Sequence, residues 1–396
     1  MSKTFLIVFV LTIVLGLSET AFADHGQVPI WEHCHAKPDK ASCYENELDA
    51  VLRVQGPSEA LQALDDLALH DSNVMRDAHP YAHRLGRQIF AYYTNFPKAF
   101  SQCEPRYASG CYHGVLEEFL NSKKNVIREE DIADLCKSLP DSQRQRFLQF
   151  QCLHGLGHGL TMYFNHDIFR ALPFCEALGP QLDRESCYGG VFMENIIHYQ
   201  HRAQHTEGHE HPSQDSKSLQ ATMLNPRDLH YPCNALIRRY QEACYFLQSS
   251  AFLTLNGWNI EDAFKECDKA PEDLIPLCYQ SMGRDISGAS LTVTEKTIEG
   301  CMQGTLRYLT YCFKGAVNDF IITHANPERG VNFCQELTDD YKTACYESVG
   351  QFLIYLYPDQ STRDKVCEKI EERYVPFCRL ASIPSVDLHQ AVINGR

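Results

Sequence analysis

Histidine and glutamate recur in the first half of the chain at a spacing that suits metal binding. Four couples stand four positions apart: His79/His83, His113/Glu117, His154/His158 and Glu194/His198. Residues four apart on an α-helix share one face, with Cβ atoms about 5–6 Å apart, so two side chains can hold one cation. Imidazole and carboxylate ligands suit several transition metals. The couples therefore predict a metal site for Zn, Fe, Mn or Cu.

The stretch from Cys152 to Gly159 joins one of these couples to a repeated position. His113 and His154 each stand two residues after a cysteine, and glycines surround His154 and His158. Helices that stack lie about 8–10 Å apart, so equivalent histidines on neighbouring helices can converge on one ion or on two adjacent ions. Each couple taken alone also fits a solvated helix pair, so the hypothesis depends on the clustering of all four.

The cysteines explain how the helices carrying these residues are held together. The 18 cysteines fall into nine sequential couples, and an even count in a secreted chain predicts disulfides. The last five couples share one spacing, with first cysteines 33 or 34 residues apart, which indicates a repeat protein. The predicted pairs are Cys34–Cys43, Cys103–Cys111, Cys136–Cys152, Cys175–Cys187, Cys233–Cys244, Cys267–Cys278, Cys301–Cys312, Cys334–Cys345 and Cys367–Cys378.

Each repeat has the composition of a helical hairpin stapled across its turn. A large apolar residue follows most of the second cysteines, as in Cys278-Tyr279, and a glycine such as Gly283 or Gly315 comes soon after. Glycine inside a helix costs about 0.5–1 kcal/mol relative to alanine, so its repeated use predicts close helix packing. The sequence thus predicts an all-α solenoid. In period and stapled hairpins it resembles the secreted cysteine-rich Sel1-like and tetratricopeptide solenoids, a resemblance that implies architecture and no activity.

The N-terminus predicts export. Lys3, an apolar run from Phe5 to Leu17 and the small residues around Ala23 have the pattern of a signal peptide cleaved after Ala23. We therefore expect a secreted or periplasmic protein and not an integral membrane protein. The net charge of −15 argues against nucleic acid as a partner.

The pattern also predicts how the chain is divided. We expect a signal peptide (1–23), an N-terminal helical region (24–100), histidine-rich hairpins (101–204), a polar, histidine-rich insertion (205–230) and regular repeats (231–396). Within the N-terminal region, residues 24–42 should be irregular, with helices from Ser58 to about His70 and from about Val74 to Tyr93. Pro80 allows the second helix only if that helix begins near His79 or is kinked.

Three hypotheses of function follow from these features. The first is a metal-dependent hydrolase or oxygenase, with Glu117, Glu118 or Glu194 available as a base. The second is a metal-free scaffold that binds a protein or peptide partner, and the third is a periplasmic metal carrier that uses the insertion. In the regular repeats, the positions two after the cysteine are Phe246, Gln280, Lys314 and Glu347, a mixed row that we expect to be solvated. No catalytic residue can be assigned from the sequence.

Overall fold

Helices make up the regular structure of the chain. The computed structural model describes residues 29–123, 127–138, 145–205 and 224–384. Within these ranges no β-strand is present, and an isolated bridge joins Asn225 and Asp228. The all-α, solenoid-like fold expected from the sequence is confirmed.

The long helices alternate with short ones along both halves. The helices of the first half are α1 (Ile30–Cys34), α2 (Lys40–Val54), α3 (Pro57–His70), α4 (Ser72–Arg76), α5 (Ala78–Tyr93), α6 (Phe96–Phe100), α7 (Gly110–Asn121), α8 (Glu129–Ala133), α9 (Gln145–Tyr163), α10 (Ile168–Cys175) and α11 (Gln181–His205). The second half has α12 (Arg238–Tyr245), α13 (Gln248–Leu255), α14 (Ile260–Cys267), α15 (Ile275–Ala289), α16 (Thr294–Cys301), α17 (Leu309–His324), α18 (Pro327–Gln335), α19 (Asp339–Leu356), α20 (Gln360–Cys367) and α21 (Val375–Ala381).

Local sequence explains the repeating unit. A short helix begins after a capping side chain, as where Asn259 accepts a hydrogen bond from the Asp262 backbone N–H, and where Asp359 accepts one from that of Thr362. Such caps satisfy backbone donors that have no partner inside the helix. In the units of Cys267–Cys278 and Cys301–Cys312, the short helix ends at the first cysteine, and after a turn the second cysteine lies in the first turn of a long helix. Each unit is therefore one stapled helical hairpin.

Nine disulfides join the cysteines of these hairpins in sequential couples. Their Cα–Cα distances range from 5.5 Å to 5.8 Å, as expected for facing helix ends. The bonds are Cys34–Cys43, Cys103–Cys111, Cys136–Cys152, Cys175–Cys187, Cys233–Cys244, Cys267–Cys278, Cys301–Cys312, Cys334–Cys345 and Cys367–Cys378. No cysteine is left free, so thiolate chemistry has no residue to act through.

Three pairs of long helices meet at what we call glycine crossings. At each crossing, a methyl group in place of glycine would overlap a carbonyl oxygen of the facing helix, so only glycine permits the approach. The crossings are α5 with α7 through Gly86 and Gly114, α9 with α11 through Gly157 and Gly190, and α15 with α17 through Gly283 and Gly315. Residues beside these glycines are brought close to the neighbouring helix.

The two halves of the chain also touch each other. The ring of Phe150 on α9 lies 5.8 Å from that of Tyr355 on α19, and α17 packs against a 3-10 turn at Tyr107–Ser109. Gln280 and Lys314, on α15 and α17, are only 3% and 9% exposed. The expectation of a solvated row is therefore wrong for these two residues. A helical pattern identifies a face, but it does not tell which other part of the chain covers that face.

The N-terminal region departs from expectation in two places. Residues that we expected to be irregular include α1 and the start of α2, whose first turn is capped by Asp39. Helix α3 begins at Pro57 after Gly56, so Ser58 lies inside the helix and is not its cap. Gly56 has a φ of 112°, which glycine adopts without strain.

The segment around Pro80 follows one of the two expected alternatives. It divides into α4 and α5, and Pro80 lies in the first turn of α5, where its missing N–H costs no helical hydrogen bond.

Two sequence expectations fall outside the part of the chain that the structure describes. These are the signal peptide (1–23) and most of the histidine-rich insertion, residues 206–223. Among the described helices, none has both the length and the apolar character needed to cross a membrane.

Candidate metal centre

Five histidines from three long helices come together in one buried cluster, which we call the imidazole nest. It consists of His79 and His83 on α5, His113 on α7, and His154 and His158 on α9. Neighbouring ring centroids are 4.4 Å to 5.5 Å apart. The nest joins three of the couples that the spacing singled out.

The glycine crossing of α5 and α7 explains how the first three rings meet. Gly114 packs on the backbone carbonyl of His83, which places His113, one residue earlier, beside the histidines of α5. Gly155 of α9 in turn packs against the backbone of His113. Because no side chain fills these positions, the three helices approach closely enough for their imidazoles to touch.

Each ring of the nest is anchored from outside through one of its two nitrogens. His79 Nδ1 donates to the Tyr107 carbonyl oxygen (2.7 Å), and His83 Nδ1 donates to Glu117 Oε1 (2.5 Å). His113 Nε2 bonds to Gln151 Oε1 (2.9 Å). The remaining anchors are the Ser186 backbone for His154, and Glu194 Oε2, 3.0 Å from Nδ1 of His158.

The nitrogens that are not anchored point inward. His79 Nε2 and His83 Nε2 are 2.9 Å apart, and because each ring donates from its Nδ1, both would be acceptors in neutral rings. Two facing lone pairs need a shared proton or a cation between them. His113 Nδ1 and His158 Nε2 are buried and have no hydrogen-bond partner among the described residues. Four inward nitrogens therefore offer lone pairs to the same region.

The distances fit coordination. Ligand atoms lie within 4.8 Å of one another in three groups: His79/His83/His113, His113/His154/His158 and His83/Glu117/His158. With metal–nitrogen bonds of about 2.0–2.1 Å, imidazoles around a tetrahedral ion have ring centroids about 5 Å apart, which matches the nest. Small movements of the rings would bring them to bonding distance.

Burial disfavours the protonated form of four histidines of the nest. Loss of water lowers the pKa of His79 to about 3 and that of His154 to about 4, and it places the pKa values of His113 and His158 well below the ordinary value. Unprotonated imidazoles retain the lone pairs that a metal needs.

Glu117 lies at the outer edge of the nest with both oxygens engaged. Oε1 accepts from His83, and Oε2 accepts from Nη1 of Arg87 at 2.6 Å. Burial alone would raise the pKa of Glu117, but the charges and hydrogen bonds of His83 and Arg87 lower it to about 2. The carboxylate is therefore ionised and held in place. This arrangement suits a residue that orients His83.

Glu194 and His198 lie farther out. Glu194 Oε1 is 3.7 Å from Nδ1 of His166, and the rings of His166 and His198 stack with centroids 3.5 Å apart. Burial, together with the negative charge of Glu117, raises the pKa of Glu194 well above its ordinary value. Glu194 thus meets the nest through His158, whereas His198 does not reach it.

Several residues of the site carry no signal in the sequence. The four-residue spacing does not single out these groups, which are the side chains of Gln151, Arg87 and His166 and the backbone carbonyl group of Tyr107. Their roles depend on which group faces the nest across a helix pair. His166 reaches Glu194 from a turn where it has a positive φ of 63°. The position of Gln151 directly before the hairpin cysteine Cys152 is the one sequence feature that sets any of these residues apart.

Comparison with protein-family models, with curated proteins and with solved structures finds no match to this chain. The likeness to Sel1-like solenoids therefore rests on the stapled helical repeats.

Proposed function

We propose that the protein is an exported metalloprotein that holds a transition-metal ion in the imidazole nest. One observation carries the proposal: the five rings are each anchored to an outer acceptor, and four of them, His79, His83, His113 and His158, turn their other nitrogen inward. Metal-binding histidines have this arrangement because the outer hydrogen bond fixes the tautomer and the ring orientation. Histidines that merely fill a core would satisfy both nitrogens.

The donor set narrows the choice of ion. Imidazole suits Zn, Cu and Fe, whereas Mn prefers carboxylate and water ligands. Glu117 and Glu194 are engaged as hydrogen-bond acceptors of His83 and His158, so the inner donors are neutral nitrogens. We therefore expect Zn, Cu or Fe in preference to Mn, with the two glutamates orienting ligand rings.

Burial favours a resident ion over a transported one. His83, His113 and His158 are 5% exposed or less, and an ion there would exchange slowly. Slow exchange weighs against a metal carrier, and the inward nitrogens of His113 and His158, which have no partner among the described residues, weigh against a metal-free scaffold. A bound ion would supply Lewis-acid or redox chemistry, which is the basis of the hydrolase or oxygenase hypothesis. His79 is partly exposed, so a further ligand could approach the nest from the side on which it lies.

Metal analysis tests the proposal directly. The chain is produced through an oxidising compartment without a histidine tag, and bound metal is measured beside a His154→Ala/His158→Ala variant. We expect near-stoichiometric Zn, Cu or Fe in the parent and loss of most of it in the variant. The matched control is His35→Ala/His70→Ala, which removes two exposed histidines outside the nest.

A parent that contains no metal and takes up no Zn, Cu or Fe on reconstitution would overturn the proposal and favour the scaffold. Ions that are lost on deletion of residues 206–223 would favour the carrier.

The cellular location belongs to the same proposal. Nine disulfides and the lack of a membrane-crossing helix among the described residues fit an oxidising compartment. Export through a signal peptide predicts that the purified exported chain begins at Asp24, and N-terminal sequencing tests this. A first residue within 1–23 would contradict it.

A further inference from the structure

The crossing of α15 and α17 repeats the backbone of the nest with different side chains. Three residues before the crossing glycine, α5 carries His83 and α15 carries Gln280. One residue before it, α7 carries His113 and α17 carries Lys314. His83 and His113 have ring centroids 5.2 Å apart, so the matching positions on α15 and α17 also converge.

Lys314 is a buried amine without a counter-charge in contact. It is 9% exposed and forms no hydrogen bond or ion pair with any residue that the structure describes. The ring of Tyr311, with its centroid 5.9 Å from Nζ, gives weak compensation at most. Burial lowers the pKa of Lys314, and the charge of Glu347 offsets this only in part. A buried charge is costly unless it is paired, so this position calls for an anion.

Gln280 is the second polar residue at the crossing that lacks a protein partner among the residues that the structure describes. It is 3% exposed, and its side-chain amide makes no hydrogen bond within the described part of the chain. Because the two positions converge, the amide N–H of Gln280 and the ammonium group of Lys314 are two donors that one oxyanion can accept from.

The neighbouring cation Arg284, unlike Lys314, has hydrogen-bond acceptors among the described residues of the protein. Arg284 donates to the Phe246 carbonyl, to Ser250, to Ser281 and to Asp285, so its guanidinium group is fully engaged. The unused donors at the crossing are therefore those of Lys314 and Gln280.

We propose that Lys314 and Gln280 bind a small oxyanion, a carboxylate or a phosphate, at the crossing of α15 and α17. The site uses no residue of the imidazole nest and does not depend on a bound metal. The low exposure of both residues limits the ligand to a small anion or to the anionic group of a slender molecule.

Calorimetric titration of the full oxidised chain, freed of metal by a chelator, tests this site. Inorganic phosphate and acetate serve as the two probes. We expect saturable one-to-one binding of at least one of them, weakened about tenfold or more by Lys314→Met and by Gln280→Leu. The matched control is Lys296→Met, which removes an exposed lysine and should leave binding unchanged.

Melting temperature separates loss of binding from loss of fold. Without anion, Lys314→Met should melt at or above the parent temperature, because the substitution removes an unpaired buried charge. Added anion should raise the melting temperature of the parent and of Lys296→Met only.

Anion binding should persist in His154→Ala/His158→Ala, whatever that variant does to metal content. Failure of the parent to bind either probe, or equal binding by Lys314→Met and the parent, would overturn the proposal.

Discussion

The α5–α7 crossing and the α15–α17 crossing share a backbone arrangement and differ in the side chains placed around it. The first brings His83 and His113 together. The second places Gln280 and Lys314 at the matching positions. Glycines build the close approach in both, and a few residues beside them decide what the crossing can bind. The solenoid therefore supplies one geometry that carries different chemistry in its two halves.

The network around Asp285 and the nest differ in how they satisfy buried polar groups. In the second half, Asp285 accepts from Ser249 and Ser250 at 2.6 Å and 2.7 Å and is paired with Arg284. In the nest, inward nitrogens of His113 and His158 have no such partner among the described residues. A network that is complete by itself stabilises a fold, whereas an incomplete one indicates a missing ligand.

The largest expected effect tests whether the crossings are equivalent. Gly190→Ala and Gly315→Ala should each lower the free energy of unfolding by about 3 kcal/mol or more, because the new methyl group overlaps the carbonyl oxygen of His154 or Gln280. Gly288→Ala is the control, since nothing lies near its position. Urea unfolding measures the difference. Only Gly190→Ala, at the α9–α11 crossing beside His154, should also weaken metal binding. Equal metal loss in Gly315→Ala would mean that the α9–α11 and α15–α17 crossings are not independent.

A smaller effect tests the outer anchors. Gln151→Leu should weaken metal binding about 10–100-fold, because His113 loses the acceptor that fixes its tautomer. Competition with a chelator measures the affinity, and Gln151→Glu should retain it because a carboxylate still accepts from Nε2.

Gln149→Leu, on the same helix but bonded to Asp183, is the matched control. Unchanged affinity in Gln151→Leu would show that His113 is oriented by packing alone.

The smallest expected effect is the pH response of the second half. Burial raises the pKa of Asp319 from its ordinary value of 3.8 to about 6. The folded chain therefore holds this proton more tightly than the unfolded chain, and the stabilisation is lost as pH rises through about 6. Asp319→Asn should be more stable than the parent by about 1–2 kcal/mol at neutral pH, a value reduced for partial exposure.

Urea unfolding from about pH 5 to about pH 8 measures this response. Asp340→Asn, an exposed position, is the control. In the metal-free nest the sign is opposite, because burial lowers the pKa of His154 to about 4 and stability is lost as pH falls below 6.5. A parent and an Asp319→Asn variant with identical pH dependence would contradict the assignment to Asp319.

Much of the architecture could be predicted because it depends on residue type and spacing. The cysteine couples and the glycines after them indicate stapled, closely packed hairpins, and the spacing of His79/His83 and His154/His158 indicates shared helix faces. His198 was grouped with them by the same rule. His198 lies on α11, one turn beyond Glu194, and its ring stacks on His166 and does not reach the nest.

The remaining features depend on contacts between distant segments. Gln151 and the carbonyl group of Tyr107 become anchors only because particular rings face them, and an amide or a carbonyl group carries no pattern of its own. The burial of Lys314 could not be predicted for the same reason, because it arises from packing that no local spacing records.

The connectivity of the disulfides has a consequence for how the chain matures. Every bond joins cysteines that are adjacent in the sequence of cysteines, with separations of 8 to 16 residues. Each pair can therefore oxidise as soon as its own hairpin is exposed to an oxidising environment, without waiting for later segments. No bond must be broken and exchanged to reach the native set, so vectorial oxidation alone can deliver it. Of the three helices that form the nest, α7 and α9 carry cysteines and would be stapled in chain order, whereas α5 carries none and relies on packing.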